Sequence, residues 1–368
     1  MRLALLLLLS AGCRQLLGFE GLEPADVGSP AEDGRSDGPA VGCQVHGDCL
    51  SQACLPDGRC AEESEVAYVA SDGLGTTCVK AMPCGQVNDA LGTKRAIIKI
   101  SGTIAETLQI AIDNTTVSFL ADPGARVTRL DSNLSGATFK IKEGSATIVG
   151  LEITNTITGQ AGIDLEDGSL VLDRVRVTEC QGRGLDVRRA TELTISRSIF
   201  ANNVLGGVVL QDARFAISNS LVVRNGSPTS AVGGVRTNAS APGSTFELNT
   251  VADNVSNAAN TSSSAINCGE AFTAHSNIVR GFSDVAALGS SCTFEHSLFT
   301  AAAPPGLGNL QTSDLKFQNV DTPSSSGFFR ITATSPAVDQ GVSTIAFDID
   351  GQPRPAGAAP DMGADEAQ

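Results

Sequence analysis

Four side chains near the middle of the chain could do chemistry together: Asp164, Glu166, Asp186 and Arg188, with Arg189 and Asp212 close by. Asp164 and Asp186 occupy matching contexts, Gly162-Ile-Asp-Leu-Glu166 and Gly184-Leu-Asp-Val-Arg188. If the interval between them is one turn of a repeat, the two carboxylates stack and could hold a cation. The same pattern equally describes charges along a solvated sheet edge, where they discourage further strand pairing. The three histidines (46, 275 and 296) form no pair at metal or triad spacing, and His275 and His296 are expected as a stacked surface pair. Asp348-Ile-Asp-Gly351 lacks the further ligands of a calcium-binding helix–loop–helix and reads as a turn.

Ten cysteines give a second set of reactive positions: 13, 43, 49, 54, 60, 78, 84, 180, 268 and 292. Cys43, Cys49, Cys54 and Cys60 lie in a stretch too poor in apolar residues to build a core, so two bridges are expected to staple it. Their pairing is left open. The rival reading, zinc held with the help of His46, lacks the close cysteine pairs of zinc ribbons. Cys78 is expected to pair with Cys84, and Cys268 with Cys292.

The elements that must position these groups are strands. From Ala96 onward, runs of four to six β-branched and aliphatic residues are broken by Gly, Asn and Asp. Leu170-Val-Leu-Asp-Arg-Val-Arg-Val177, Leu193-Thr-Ile-Ser-Arg-Ser-Ile-Phe200 and Phe215-Ala-Ile-Ser-Asn-Ser-Leu-Val222 align without gaps. Anchored on the last residue, the series is Ile153, Val177, Phe200, Val222, Val251, Val279 and Phe299. A second anchor recurs at Ile163, Leu185, Val208, Val235 and Ile266, usually behind a Gly (Gly162, Gly184, Gly207, Gly234). Steps of this size without long helices predict a solenoid with three short strands per coil. Residues 96–300 supply roughly eight coils, a rod of about 40 Å at the inter-strand spacing. Ser227–Gly243 and Ser256–Ser264 are polar insertions that should bulge as loops. A short helix is expected at Gln86–Leu91.

Three residues past the first anchor stand Thr156, Cys180, Asn203, Asn225 and Asn254. They predict an internal asparagine ladder, with each Asn taking the left-handed bend of a corner. That ladder places Cys180 inside as a buried free thiol. Alternation along the strand ending at Val177 puts Glu152, Arg176, Ile199, Leu221, Thr250, Ile278 and Leu298 on an outer face. Four aliphatics there call for cover by another part of the chain, for a partner, or for a slip in phase; cover is the favoured reading.

Composition bounds the function. Forty acidic against 25 basic residues give a net charge of −15, which argues against nucleic-acid binding. Most of the charge density sits upstream: residues 17–65 carry eleven acidic and two basic side chains. Residues 14–42 read as an acidic, disordered tether ahead of the small disulfide-rich module at 43–62. The chain opens with Arg2, an apolar run Leu3–Leu9 and small residues, an export signal too short to span a membrane. Ala11-Gly12-Cys13 resembles the lipobox of bacterial lipoproteins. The resemblance implies lipidation of Cys13 and, with Arg14 next, outer-membrane sorting, periplasmic or at the cell surface. Ser10 stands where a bulky apolar residue is usual, so plain signal cleavage is the alternative.

On this repeat, residues 66–300 resemble the right-handed parallel β-helix proteins, the pectate-lyase-like superfold. Tyr68-Val-Ala-Ser-Asp-Gly73, Cys78, Pro83-Cys84 and Asp89-Ala-Leu91 look like the N-terminal cap of its bacterial members. The segment Ser335-Pro-Ala-Val-Asp-Gln-Gly341, Asp348-Ile-Asp-Gly-Gln-Pro-Arg354 and Pro360-Asp-Met-Gly-Ala-Asp-Glu366 resembles the hallmark of choice-of-anchor Q proteins. That resemblance, with no sorting tail before Gln368, implies an N-terminal lipid as the anchor. The expected fold is therefore all-β, a right-handed parallel β-helix over 66–303, with an N-terminal cap helix and a C-terminal capping segment over 304–368. Polysaccharide lyases of this superfold set an Arg or Lys base beside Ca²⁺-binding carboxylates. By that resemblance Asp164, Glu166, Asp186 and Arg188 are the catalytic candidates, although later coils put Val209, Arg236 and Asn267 at the same position. The leading expectation is a monomeric rigid platform that binds a glycan or a surface protein, anchored to a lipid bilayer and needing no cofactor. The alternative is a Ca²⁺-dependent polysaccharide lyase or a glycoside hydrolase.

Overall fold

The computed structural model describes residues 42–130, 135–257, 264–270, 272–281, 288 and 291–368. The export segment, Cys13 and the tether through Val41 lie outside the described residues, as does 258–263 of the second insertion.

The short β-branched runs form three parallel sheets, of ten, seven and ten strands among the described residues. A coil visits them in a fixed order. Ser169–Asp173 lies in the first sheet, Arg176–Thr178 in the third and Leu185–Arg188 in the second; the next coil begins at Glu192–Ser196. Like positions pair coil to coil without slippage: Leu170 with Leu193, Leu193 with Phe215, Val177 with Phe200, Phe200 with Val222. Alternate side chains of every strand therefore point into one continuous core of stacked Leu, Ile, Val and Phe. Each fully buried aliphatic or aromatic there contributes roughly 1.5–3 kcal/mol relative to exposure.

The corners are set by backbone handedness. Three columns of non-glycine residues adopt positive φ, one at each bend. Glu143, Asp167, Arg189 and Asp212 turn the second sheet into the first; Arg174, Arg197, Asn219, Leu248, Ser276 and His296 turn the first into the third; Glu179, Asn202, Arg224 and Asp253 leave the third. The left-handed bend thus falls one residue before each ladder position, not on the ladder Asn itself. The ladder residues instead carry hydrogen bonds. Cys180 N–H donates to Asn203 Oδ1 (3.0 Å), Asn203 N–H to Asn225 Oδ1 (3.1 Å) and Asn225 N–H to Asn254 Oδ1 (2.8 Å). Their Nδ2 groups reach the next Oδ1 and the carbonyls of neighbouring coils. Below Cys180 the stack differs from expectation: Asn155 is the buried residue, while Thr156 is exposed. Cys180 is fully buried and its thiol is pushed up to about 12 by desolvation.

The ladder explains the glycine column. A Cβ on Gly184, Gly207 or Gly234 would lie 2.7–3.0 Å from the Nδ2 of Asn203, Asn225 or Asn254 respectively. A second ladder runs at the opposite corner, through Ser198, Ser220, Asn249, Asn277, Ser297 and Asn309.

Three pieces cover the rod. The helix Val87–Gly92 closes the N-terminal end with Val87 and Ala90 buried. The stretch around Cys43–Cys54 and Cys49–Cys60 lies on the outer face of the first sheet, packing Ala53, Leu55 and Ala61 on Tyr68, Ile97, Leu120 and Val149. Tyr68 Oη donates to the Ser51 carbonyl (2.8 Å), and burial pushes that phenol up to about 12. The C-terminal segment covers sideways: beyond the last strand it runs over the outer face of the third sheet rather than only across the final coil. Phe328, Phe329, Ile349 and Ala364 bury Ile199, Leu221, Val223 and Ala252, while Leu315, Ile331, Ala337 and Met362 bury Ile278 and Leu298. The outward aliphatic stripe is covered, with no slip in phase.

Candidate functional site: a charged row and groove on the second sheet

Among the described residues the outer face of the second sheet is open only in part: Lys140, Asp164 and Asp186 are half-buried, and Val209 is buried. Register aligns Lys140, Asp164, Asp186, Val209, Arg236 and Asn267 in one outward row. Glu166 and Arg188 follow two residues later, on the same face. All four candidate residues therefore come together, and Asp164 does stand one coil from Asp186.

Each carboxylate already has a cation. Lys140 Nζ sits between Asp164 (2.9 Å) and Glu166 (3.0 Å). Arg188 Nη2 donates to both Asp164 oxygens (3.1 and 3.2 Å), and Arg183 Nη1 donates to Asp186 Oδ2 (2.7 Å). At the rim, Arg189 bridges Glu166 and Asp167. The Lys140 ammonium, hydrogen-bonded to Glu166, holds that carboxyl below its usual range, and Arg189 does the same for Asp167. Burial pulls Lys140 down, but hydrogen bonds to Asp164 and Glu166 outweigh it and leave the ammonium above its ordinary value. This arrangement does not fit a calcium ion, because Lys140 and Arg183 stand where the metal would meet the carboxylates. Lys140 is also held protonated, the wrong state for removing a proton from a substrate.

Beside the row lies a groove of about 480 Å³. Its floor carries Asp164, Arg183, Asp186 and Arg188. Its walls are turns entering the second sheet, including Gly136, Gln160, Leu205 and the first insertion at Thr229–Val232. Gln160 Oε1 accepts from Gly136 N–H (2.9 Å), and Ser230 Oγ donates to Leu205 and Val232 carbonyls, so side chains fix both walls. Lys140, Arg183, Gln160 and the Thr229–Val232 wall escape the sequence reading. Lys140 was within reach: Phe139-Lys-Ile-Lys142 aligns one coil before Ile163-Asp-Leu-Glu166. Arg183 and the wall lie in turns, where no strand periodicity applies.

The other candidate positions are structural. Cys43 and Cys54, Cys49 and Cys60, Cys78 and Cys84, and Cys268 and Cys292 are disulfide-bonded. His46 Nδ1 accepts from Cys54 N–H (3.1 Å), so neither it nor those sulfurs fit a zinc site. His275 does not stack on His296. Its column partners are Glu247 and Glu295, and His296 forms the adjacent left-handed corner. Asp348 shapes a turn, its Oδ1 accepting from Asp350 and Gln352 N–H. Arg330 takes both oxygens of Asp350 (2.6 and 2.7 Å) and approaches Asp365 (3.6 Å). Arg354 Nη1 donates to the Asp361 carbonyl and lies 3.4 Å from Glu366. The polar residues of the C-terminal motif thus hold that segment in shape.

Three parallel sheets wound around one core, with a polar groove on one flank, define a β-solenoid. The chain belongs to the family described as right handed beta helix region, whose model matches residues 135–319. A solved structure titled "Crystal structure of pectate lyase Pel9A" is similar at 15% identity with a TM-score of 0.46, over 82% of this chain and 96% of that one. No curated protein matches. Among the described residues no helix is long and apolar enough to cross a membrane.

Proposed function

We propose that this protein is an exported, lipid-anchored β-helix that serves as a rigid platform and binds a glycan or another surface protein through the second-sheet groove. The observation that carries the reading is the internal neutralisation of the charged row. Asp164, Glu166 and Asp186 are spent on Lys140, Arg183 and Arg188, and the groove beside them remains open. That favours holding a ligand over Ca²⁺-assisted elimination. A stiff rod with register-matched coils suits display, since its groove is built from five successive turns that cannot shift independently. Four disulfides are compatible with an oxidising compartment. The Ala11-Gly12-Cys13 signal, Arg14 and the C-terminal motif support an outer-membrane lipoprotein of the choice-of-anchor Q type.

Two measurements test this. The full-length protein is incubated with polygalacturonate and other uronates, with and without Ca²⁺, and followed by ultraviolet absorbance of unsaturated products. No product is expected, and product lost in Asp186→Ala would replace the platform by a lyase. Separately, an inhibitor of lipoprotein signal peptidase should make precursor accumulate in expressing cells, as should Cys13→Ala. Normal processing in both would remove the lipid anchor.

A further inference from the structure

His46 stands in a cleft of about 640 Å³ between the disulfide-rich module and the rod. One wall of the cleft carries Val45, His46 and Leu55; the other carries Asp122, Val149 and Arg174. The half-buried imidazole accepts a hydrogen bond at Nδ1 from Cys54 N–H (3.1 Å), which requires a bare Nδ1 and so a neutral ring. The rod turns three charged groups toward it: Lys99 from the strand Ile97–Ser101, Asp122 from the turn after Thr116–Ala121, and Arg174 from the corner after Ser169–Asp173. Asp122 is already engaged, with Oδ1 at 2.5 Å from Lys99 Nζ. Within the module, the Asp48 carboxylate accepts from Gln44 and Val45 N–H, and Asp57 pairs with Arg59. No carboxylate is therefore left free to receive an imidazolium. Burial and Lys99 hold His46 below its ordinary range, with Arg174 adding to the effect, against a weaker pull from Asp122 and the Ala121 carbonyl.

We propose that the disulfide-rich module is an acid-sensitive latch on the first sheet, released when His46 takes up a proton. A proton on Nδ1 turns an acceptor into a donor facing the Cys54 N–H, and sets a third positive charge beside Lys99 and Arg174. The contacts that must give way are few. Ala53, Leu55 and Ala61 pack on Tyr68, Ile97, Leu120 and Val149; Tyr68 Oη donates to the Ser51 carbonyl, and Lys80 Nζ to the Leu50 carbonyl (2.6 Å). Cys43–Cys54 and Cys49–Cys60 are both internal to the module, so it can swing away intact. Its link to the rod, residues 62–65, is exposed throughout. Release would bare the apolar face of Tyr68, Ile97, Leu120 and Val149. An imidazole held low in the closed form favours closure while it is neutral. Opening therefore becomes easier as pH falls below about 6.5, by up to about tenfold per pH unit, and levels off once His46 is charged in the closed form as well. This inference depends on neither the groove nor the lipid anchor.

Tyr68 reports the latch, because the chain has one Tyr and no Trp. The test follows slow iodination of Tyr68 in the full-length protein, purified in detergent, by mass spectrometry from about pH 7.5 to about pH 4.5, each rate divided by that of free tyrosine at the same pH. The corrected rate should be level at the upper end and climb on acidification. In His46→Gln the amide oxygen can still accept from Cys54 N–H but does not titrate, so the climb should vanish. Lys99→Gln removes one facing cation and frees Asp122 to meet the imidazolium, so the climb should shrink. Hydrogen exchange in the strand Glu192–Ser196, corrected in the same way, should stay unchanged across the range. A corrected Tyr68 rate that does not respond to pH would overturn the latch. So would a climb that survives in His46→Gln, or one as large in Lys99→Gln as in the native protein. Exchange at Glu192–Ser196 rising in step with Tyr68 labelling would also overturn it, since acid would then be unfolding the rod.

Discussion

The second and third sheets share every coil from Phe139 to Cys268 yet present opposite outer faces. On the third, outward positions change from Glu152 and Arg176 to Ile199, Leu221, Ile278 and Leu298, and a C-terminal segment lies over the aliphatic part. On the second, the outward row runs Lys140, Asp164, Asp186, Val209, Arg236 and Asn267, and the groove beside it stays open. The backbone scaffold is the same, so the difference lies in side-chain chemistry alone. It teaches that the inward half of each repeat specifies the solenoid, while the outward half decides whether a face becomes core or site.

Substitutions can break this contrast at different strengths. The largest effect should come from the covered face. Phe329 is fully buried against Phe317, Phe328 and the third sheet. Phe329→Ala should lose about 3–5 kcal/mol, read by denaturant unfolding. An unchanged midpoint would mean the cover is not tightly packed.

Next comes a pH effect in the same segment. Burial pushes Asp365 up to about 7, with Asp348 and Asp350 adding to the rise, against the pull of Arg330 and Ile331 N–H. A carboxyl raised in the folded state favours folding while it is protonated. Its contribution is therefore lost as pH climbs from about 4 to about 7, and is level above that. Across this window the stability of Asp365→Asn should gain on that of the native protein by about 2–4 kcal/mol. A gap that stays constant from pH 4 to pH 8 would sink this account.

Between the two faces runs the asparagine ladder. Gly207→Ala would press a methyl group onto Asn225 Nδ2 and the Gly234 carbonyl, and should cost about 1–3 kcal/mol. Smaller effects belong to the open face. Asp164→Asn weakens its bonds with Lys140 and Arg188 at a partly exposed site and should cost about 1 kcal/mol. Arg189→Ala, on the exposed rim, should leave the unfolding temperature unchanged within error. If Asp164→Asn proved as damaging as Phe329→Ala, the charged row would be a structural clamp rather than a surface.

The repeat was legible because strand periodicity and coil stacking constrain the same residues twice. Leu170, Leu193 and Phe215 align in sequence and pair in space. Asn203, Asn225 and Asn254 could be placed by register alone. The parallel ladder was equally available from Ser198 to Ser297, since each of those members stands two residues before an anchor, but its mix of Ser and Asn hides it. Thr156 misled because the buried Asn155 stands two residues past Ile153, with no left-handed corner residue between them, whereas Cys180, Asn203, Asn225 and Asn254 stand three past their anchors. The site was half legible. Asp164, Glu166, Asp186 and Arg188 follow the strand period, whereas Arg183 and the groove walls sit in turns of unequal length.

From the sequence alone came the solenoid, its core column, the aliphatic stripe that required cover, and the row of charges at one repeat position. These depend on local periodicity and on identical neighbours one coil away, both of which can be counted along the chain. Only the tertiary structure decided what lies on the outside. The C-terminal segment reaches back across distances of more than a hundred residues, as from Ala364 to Thr250. Lys140 slots between two carboxylates, and an insertion closes one wall of the groove. Such contacts join parts with no common period, so their geometry is set by packing and charge pairing in the folded chain.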